Sequence, residues 1–149
     1  MLNVKLSIIG NIVVLYEMKR KWRFLMREKL VEQYFQMWIN KNRTGLEDLF
    51  SKKVYYSESF GPEYQGLKQV KQWFDDWVAK GTVLEWTITN YIEQDNLSVV
   101  EWYFACEYND SVDAIDGVSL IQWNEDNKMV SVKEFQSKAM HYNPYKSKS

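Results

Sequence analysis

The sequence predicts an α+β fold, with three N-terminal helices packed on a curved, mostly antiparallel sheet that encloses a pocket. Two patterns carry that prediction. Apolar residues recur at helical spacing in the first half of the chain and alternate at strand spacing in the second. The later strands are long, consecutive and joined by short Asn/Asp turns, as in an antiparallel meander. A third observation concerns the filling. Aromatic residues make up 16%, with seven Trp and ten Tyr, which serve equally as a thick core or as the wall of a ligand cavity.

From Glu28 to Asn42, Leu30, Val31, Tyr34, Phe35, Trp38 and Ile39 form one apolar helical stripe, and Asn42-Arg43-Thr44-Gly45 stops it. Leu46 to Phe50 reads as a short second helix. A strand follows with Glu58 in its middle, between Val54 and the Gly61-Pro62 turn. Alternation puts Val54, Tyr56 and Glu58 on one face, so a carboxylate stands among apolar neighbours. Gly66-Leu67 opens the third helix, whose inner face carries Leu67, Val70, Phe74 and Trp77, and Gly81 ends it.

Strands are then expected over Val83–Glu93, Leu97–Tyr108, Ala114–Trp123 and Lys128–Ser137. The second has distinct faces: Val100, Trp102, Phe104 and Cys106 on one side, Glu101, Tyr103, Ala105 and Glu107 on the other. A sheet with one apolar face must be covered, and three amphipathic helices can close it into a cone.

The chain has 149 residues, enough for one domain, placed here at 26–145 with a tail at 146–149. Residues 1–25 are expected to be an extension or a start-site choice, since Met18 and Met26 are both plausible starts. The apolar run Leu6–Tyr16 is too short to span a bilayer and lacks a cleavage motif, so a membrane role is not expected beyond a weak surface anchor. Net charge is −1, which gives no basic field for nucleic acid. A single Cys106 and a single His141 exclude an internal disulfide and argue against a zinc site, in keeping with a reducing cytoplasm. No phosphate loop, dinucleotide fingerprint or nucleophile elbow is present, so no cofactor and no metal are expected. Cys106 reads as an inert core thiol, Asp113 and Asp116 as turn or edge charges, and His141 as a solvated tail residue.

The order of elements, with Tyr34-Phe35 and Trp38 on the first helix, Tyr56-x-Glu58-x-Phe60-Gly61 before Gly66, and Asp116 to Trp123 before an Asn-Glu-Asp-Asn turn, resembles the nuclear-transport-factor-2-like superfamily. Within it, the chain is similar to SnoaL-like and ketosteroid-isomerase-like domains over residues 26–145. That resemblance implies roles. In Glu58-Ser59-Phe60-Gly61 the acid stands where the isomerase-like pattern has its general base. Tyr34, 24 positions earlier, stands where it has its oxyanion donor. Ser119 occupies the position of the third, acidic member, which lowers the expectation of steroid isomerisation.

The overlay places Val132, Glu134 and Gln136 on the concave face beside Trp102, Phe104, Ile121 and Trp123. Gly117 on that face would leave room for ligand, and Trp38 and Tyr56 complete the expected lining. The opposite register of the last strand buries Met129 and Phe135 instead, and periodicity does not choose between them. The leading expectation is a domain binding an apolar or aromatic small molecule. One alternative is a cofactor-free acid–base enzyme with Glu58 as base, Tyr34 as donor, and Ser119 and Glu134 as weaker members. Another is an interaction module, a homodimer pairing through the sheet face of Glu101, Tyr103, Ala105 and Glu107.

Overall fold

The computed structural model describes residues 2–146, with side chains from Ile12 onward. The tail expected at 146–149 therefore lies, beyond Lys146, outside the described residues. Three helices, α1 (Leu2–Ile39), α2 (Leu46–Leu49) and α3 (Leu67–Val78), accompany six strands. The strands are β1 (Phe50–Ser57), β2 (Glu63–Gln65), β3 (Gly81–Gln94), β4 (Leu97–Tyr108), β5 (Ser111–Trp123) and β6 (Met129–Lys138). They form one mixed, mostly antiparallel sheet in the order β2-β1-β6-β5-β4-β3. The single parallel pair joins β1 to β6, with Tyr56 opposite Val132.

Local chemistry explains the elements. The tight β4–β5 connection needs left-handed backbone at both turn residues, and Asn109 and Asp110 take it with φ of 49° and 62°. Helix α1 ends where Lys41 turns to φ 52°, and the Asn42 amide reaches back to the Met37 carbonyl. Helix α3 buries Val70 and Phe74 against the sheet. The core joins these residues to Val31, Phe35, Leu46, Leu49, Val100 and Val132.

Three departures from the expected elements matter. Helix α1 does not begin at Glu28 but runs unbroken from Leu2, because no proline and no second glycine interrupts the helix formers around 17–29. The expected domain start at 26 thus falls inside a helix, and Arg23 and Phe24 before it already contact the rest of the chain. Glu58 is not in mid-strand. Strand β1 stops at Ser57, and Glu58 opens a turn in which its amide donates to the Pro62 carbonyl at 2.9 Å. Gly61 closes that turn at φ 108°, a conformation that favours glycine. The chain then returns as β2, which pairs antiparallel with β1. Three residues carry too little alternation to announce a strand.

The register of β6 is settled by burial. Val132 is buried and Phe135 is 57% exposed, so Glu134 shares the inner face.

Candidate functional site

A pocket of about 430 Å³ opens between α1, α3, the β1–β2 turn and the inner face of β3–β6. Its walls are mainly indole: Trp38 from α1, Trp73 and Trp77 from α3, Trp86 from β3 and Trp102 from β4. Phe60, Phe104, Tyr108 and Ile115 complete the apolar lining, and three carboxylates, Glu58, Asp113 and Glu134, reach it.

Several of the wall rings meet steeply. Trp38 and Trp77 are inclined at 85°, Trp86 and Trp102 at 76°, and Trp86 and Phe104 at 80°. Edge-to-face contacts of this kind fix each ring against its neighbour and hold the walls apart. Phe35 stacks on one face of Trp86 at 4.1 Å and backs the wall from α1. The indole N–H groups of Trp38 and Trp86 are buried without an acceptor.

Glu134 reaches the pocket from β6. Tyr56 donates its hydroxyl to Glu134 Oε1 at 2.5 Å, and Tyr34 donates to the Tyr56 hydroxyl at 3.1 Å. Cross-strand from Glu134, Ser119 offers a further hydroxyl to the carboxyl group and itself accepts from Trp102 Nε1 at 2.9 Å. The side chain keeps some surface in the pocket while its carboxyl end is enclosed. Burial penalises the charged form and pushes this carboxyl up to about 8, helped by the charge of Glu58 and opposed by the hydroxyl donors. Burial, with the nearby Glu134 charge, holds Tyr34 and Tyr56 well above the usual phenol range, so both stay protonated donors.

Glu58 stands at the pocket rim. Tyr64 donates to its Oε1 at 2.5 Å, and burial raises its pKa against that bond. Burial likewise raises the Cys106 thiol, which makes it a poor nucleophile although it lines the pocket.

The sequence-predicted residues divide. Trp38, Glu58, Trp102, Phe104 and Glu134 meet at the pocket. Tyr34, Tyr56 and Ser119 lie behind Glu134, as its hydrogen-bonded support. Tyr34 bonds to Tyr56, and Glu58 takes its bond from Tyr64, so the pair matched by the 24-residue spacing works in two separate hydrogen-bond sets. Gly117 leaves room, but the Trp102 indole fills it: a Cβ there would lie 2.1 Å from the ring. Ile121 and Trp123 are buried in the core, away from the pocket, and Trp123 Nε1 bonds Ser98 Oγ. Gln136 is exposed in a shallow depression on the other side of Gly117. Asp113, read as a turn charge, lines the pocket.

Trp73, Trp77 and Trp86 were absent from the expected lining. Trp77 carried a visible signal, its place on the inner stripe of α3. Trp86 did not, because an irregularity between Val83 and Glu85 shifts β3 and turns Trp86 inward. Among the described residues no group of three or more His, Cys, Asp or Glu side chains is arranged to hold a metal, and no helix is long and apolar enough to cross a membrane.

A meander backed by helices, with an aromatic pocket between the two layers, is the nuclear-transport-factor-2-like, ketosteroid-isomerase-like fold. The SnoaL-like domain model matches residues 31–132, and the chain belongs to that family. Solved structures agree on the fold. A hypothetical protein from Catenulispora acidiphila with a ketosteroid-isomerase-like fold, in complex with trimethylamine, superposes with a TM-score of 0.64 at 18% identity, covering 71% of this chain and 83% of that one. An LEH-like epoxide hydrolase from M. tuberculosis gives 0.65 at 8% identity, over 73% and 80%. A nuclear-transport-factor-2-like protein of unknown function from Burkholderia xenovorans gives 0.63 at 12%, over 80% and 88%. No curated protein matches the sequence.

Proposed function

We propose that this chain is a small-molecule-binding SnoaL-like domain whose ligand occupies the tryptophan-lined pocket of a cone-shaped fold. The observation that carries the reading is the wall itself. Five indoles from four elements stand around about 430 Å³ of space, four of them in edge-to-face contact with a neighbouring indole. The pocket is set between the two layers of the fold and its walls are mainly apolar with a few polar groups, as small-molecule sites are. The size lies within the range of roughly 300–1,000 Å³ common for small-molecule sites. The relative that holds trimethylamine supports the same use of this fold. Residues 26–145 are the proposed functional unit.

Binding is tested by titrating the protein with small aromatic and alicyclic compounds and reading intrinsic tryptophan fluorescence. A saturable change, lost in Trp73→Ala, is expected. Unsaturable, linear responses across the panel would sink the proposal.

A second reading has its own observation, the Tyr34–Tyr56–Glu134 hydrogen-bonded chain ending in a carboxyl group near neutrality. An acid poised near 8 can take or give a proton at neutral pH. In this reading Glu134 is the general base or acid, Tyr56 positions it, and Glu58 at the rim is the second carboxylate. Neither reading requires a cofactor. Proton–deuteron exchange alpha to a bound ketone, followed by NMR, tests it. Glu134→Gln should slow exchange by about 100-fold or more, and equal rates in parent and variant would end the enzymatic reading.

A further inference from the structure

We propose that the pocket's ligand is an organic cation of the alkylammonium class, seated between tryptophan faces with the pocket carboxylates as its counter-charge. The inference rests on the small-molecule reading and adds the sign of the ligand's charge.

The lining has a one-sided composition. Glu58, Asp113 and Glu134 reach the pocket, while no Lys, Arg or His is among the residues that line it. None of these three carboxylates takes part in an ion pair among the described residues. Their donors are all uncharged: Tyr64 for Glu58, Tyr56 and Ser119 for Glu134, and the Ala114 amide for Asp113. An anionic ligand would meet no cationic side chain among the lining residues and would face the Glu58 and Asp113 carboxylates. A neutral apolar ligand would fit the walls but would dehydrate carboxylates and offer them nothing. A cation satisfies both features at once, because an indole face carries negative quadrupole density and attracts an ammonium group.

The remaining walls are consistent with this. Steeply inclined rings present faces and edges from several directions, as a compact cation without a preferred hydrogen-bonding axis requires. Glu134, held largely protonated at neutral pH by burial, would ionise when a cation arrives, so binding should release a proton.

The test uses three isosteres on the full chain: choline, neutral 3,3-dimethylbutan-1-ol and anionic 3,3-dimethylbutanoate. They are titrated at pH 7 by calorimetry and tryptophan fluorescence. Choline is expected to bind at least about 10-fold more tightly than the alcohol, with the carboxylate weakest. Glu58→Gln at the rim and Glu134→Gln at the floor should each weaken choline several-fold and leave the alcohol unchanged. Glu58→Gln serves as the second variant because its residue is not part of the packed core. Equal or tighter binding of the alcohol overturns the cation while leaving the pocket in place. Failure of all three to saturate overturns both the cation and the pocket as a site for molecules of this size.

Discussion

Carboxylates are taken out of water at two places in the fold, at Arg27 and at the pocket, and the two groups are treated in opposite ways. At the first, Arg27 projects from α1 and is almost wholly buried, with Glu93 beside it at 3.2 Å. Its guanidinium also donates to Asn127 Oδ1 at 3.1 Å, to the Asp95 carbonyl at 2.9 Å and to Asn96 Oδ1 at 3.3 Å, and it lies over the Trp123 ring. Arg23 adds a second contact to Glu93 at 3.3 Å. At the pocket, Glu134 and Glu58 have hydroxyl donors only and open onto a cavity. The first cluster is closed and self-neutralised, and it pins α1 to the β3–β4 and β5–β6 turns. The second is left short of positive charge where it lines the tryptophan-walled pocket. Carboxyl groups perturbed by burial and lining a cleft are candidates for a functional site.

The comparison can be broken most forcefully at Arg27. Arg27→Met leaves Glu93 buried beside orphaned acceptors, and a loss of about 3–5 kcal/mol is expected in urea unfolding. Adding Glu93→Leu should restore part of it, because removing both charges removes the desolvation cost. Ligand affinity, measured where the variant is folded, should be unchanged.

Gly117→Ala attacks the pocket through its wall. The new methyl group collides with the Trp102 indole, which must move and give up its bond to Ser119. A cost of about 1–3 kcal/mol is expected from thermal or urea melts, with weakened binding.

Glu134→Gln sharpens the contrast through pH. The native carboxyl titrates at about 8, against about 4.3 for an unfolded Glu. Between those values the folded state holds the extra proton, so this group's stabilisation is full below about 4.3 and is lost as pH rises through about 8. The raised Glu58 slopes the same way and remains in the variant. Tyr34, Tyr56, Ser119 and Glu58 are the groups that face this carboxyl, and both phenols titrate above the window. Parent and variant should therefore match near pH 4, with the variant more stable by roughly 1–3 kcal/mol at pH 9.

The smallest effect belongs to the outer face. Phe135→Lys, at an exposed side chain, should change stability by less than about 0.5 kcal/mol. The sequence alternative of a homodimer through the sheet face of Glu101, Tyr103, Ala105 and Glu107 is tested on the same sheet by sedimentation velocity, in which a dimer would shift toward monomer in that variant and a monomer would not change.

Much of this was readable in the residues. The stripes of α1 and α3 and the boundaries of β4 followed from periodicity because each is long enough to repeat its pattern several times. Strand β2 did not, since three residues have no period. Glu134 was legible only as one of two registers, because a one-residue slip exchanges it with Phe135 and local sequence scores both alike. Arg27 gave no signal at all: its partners lie 66 to 100 positions away and meet it only in the folded chain.

The sequence by itself determined the layers, the aromatic content and the presence of acids on apolar strands, because these depend on side-chain type and local spacing. Only the tertiary structure decided which acid faces the cavity, which tyrosines support it and which tryptophans stand around it. Those outcomes depend on strand register, on the irregularity in β3 and on the end of β1 at Ser57, all set by contacts between distant parts of the chain.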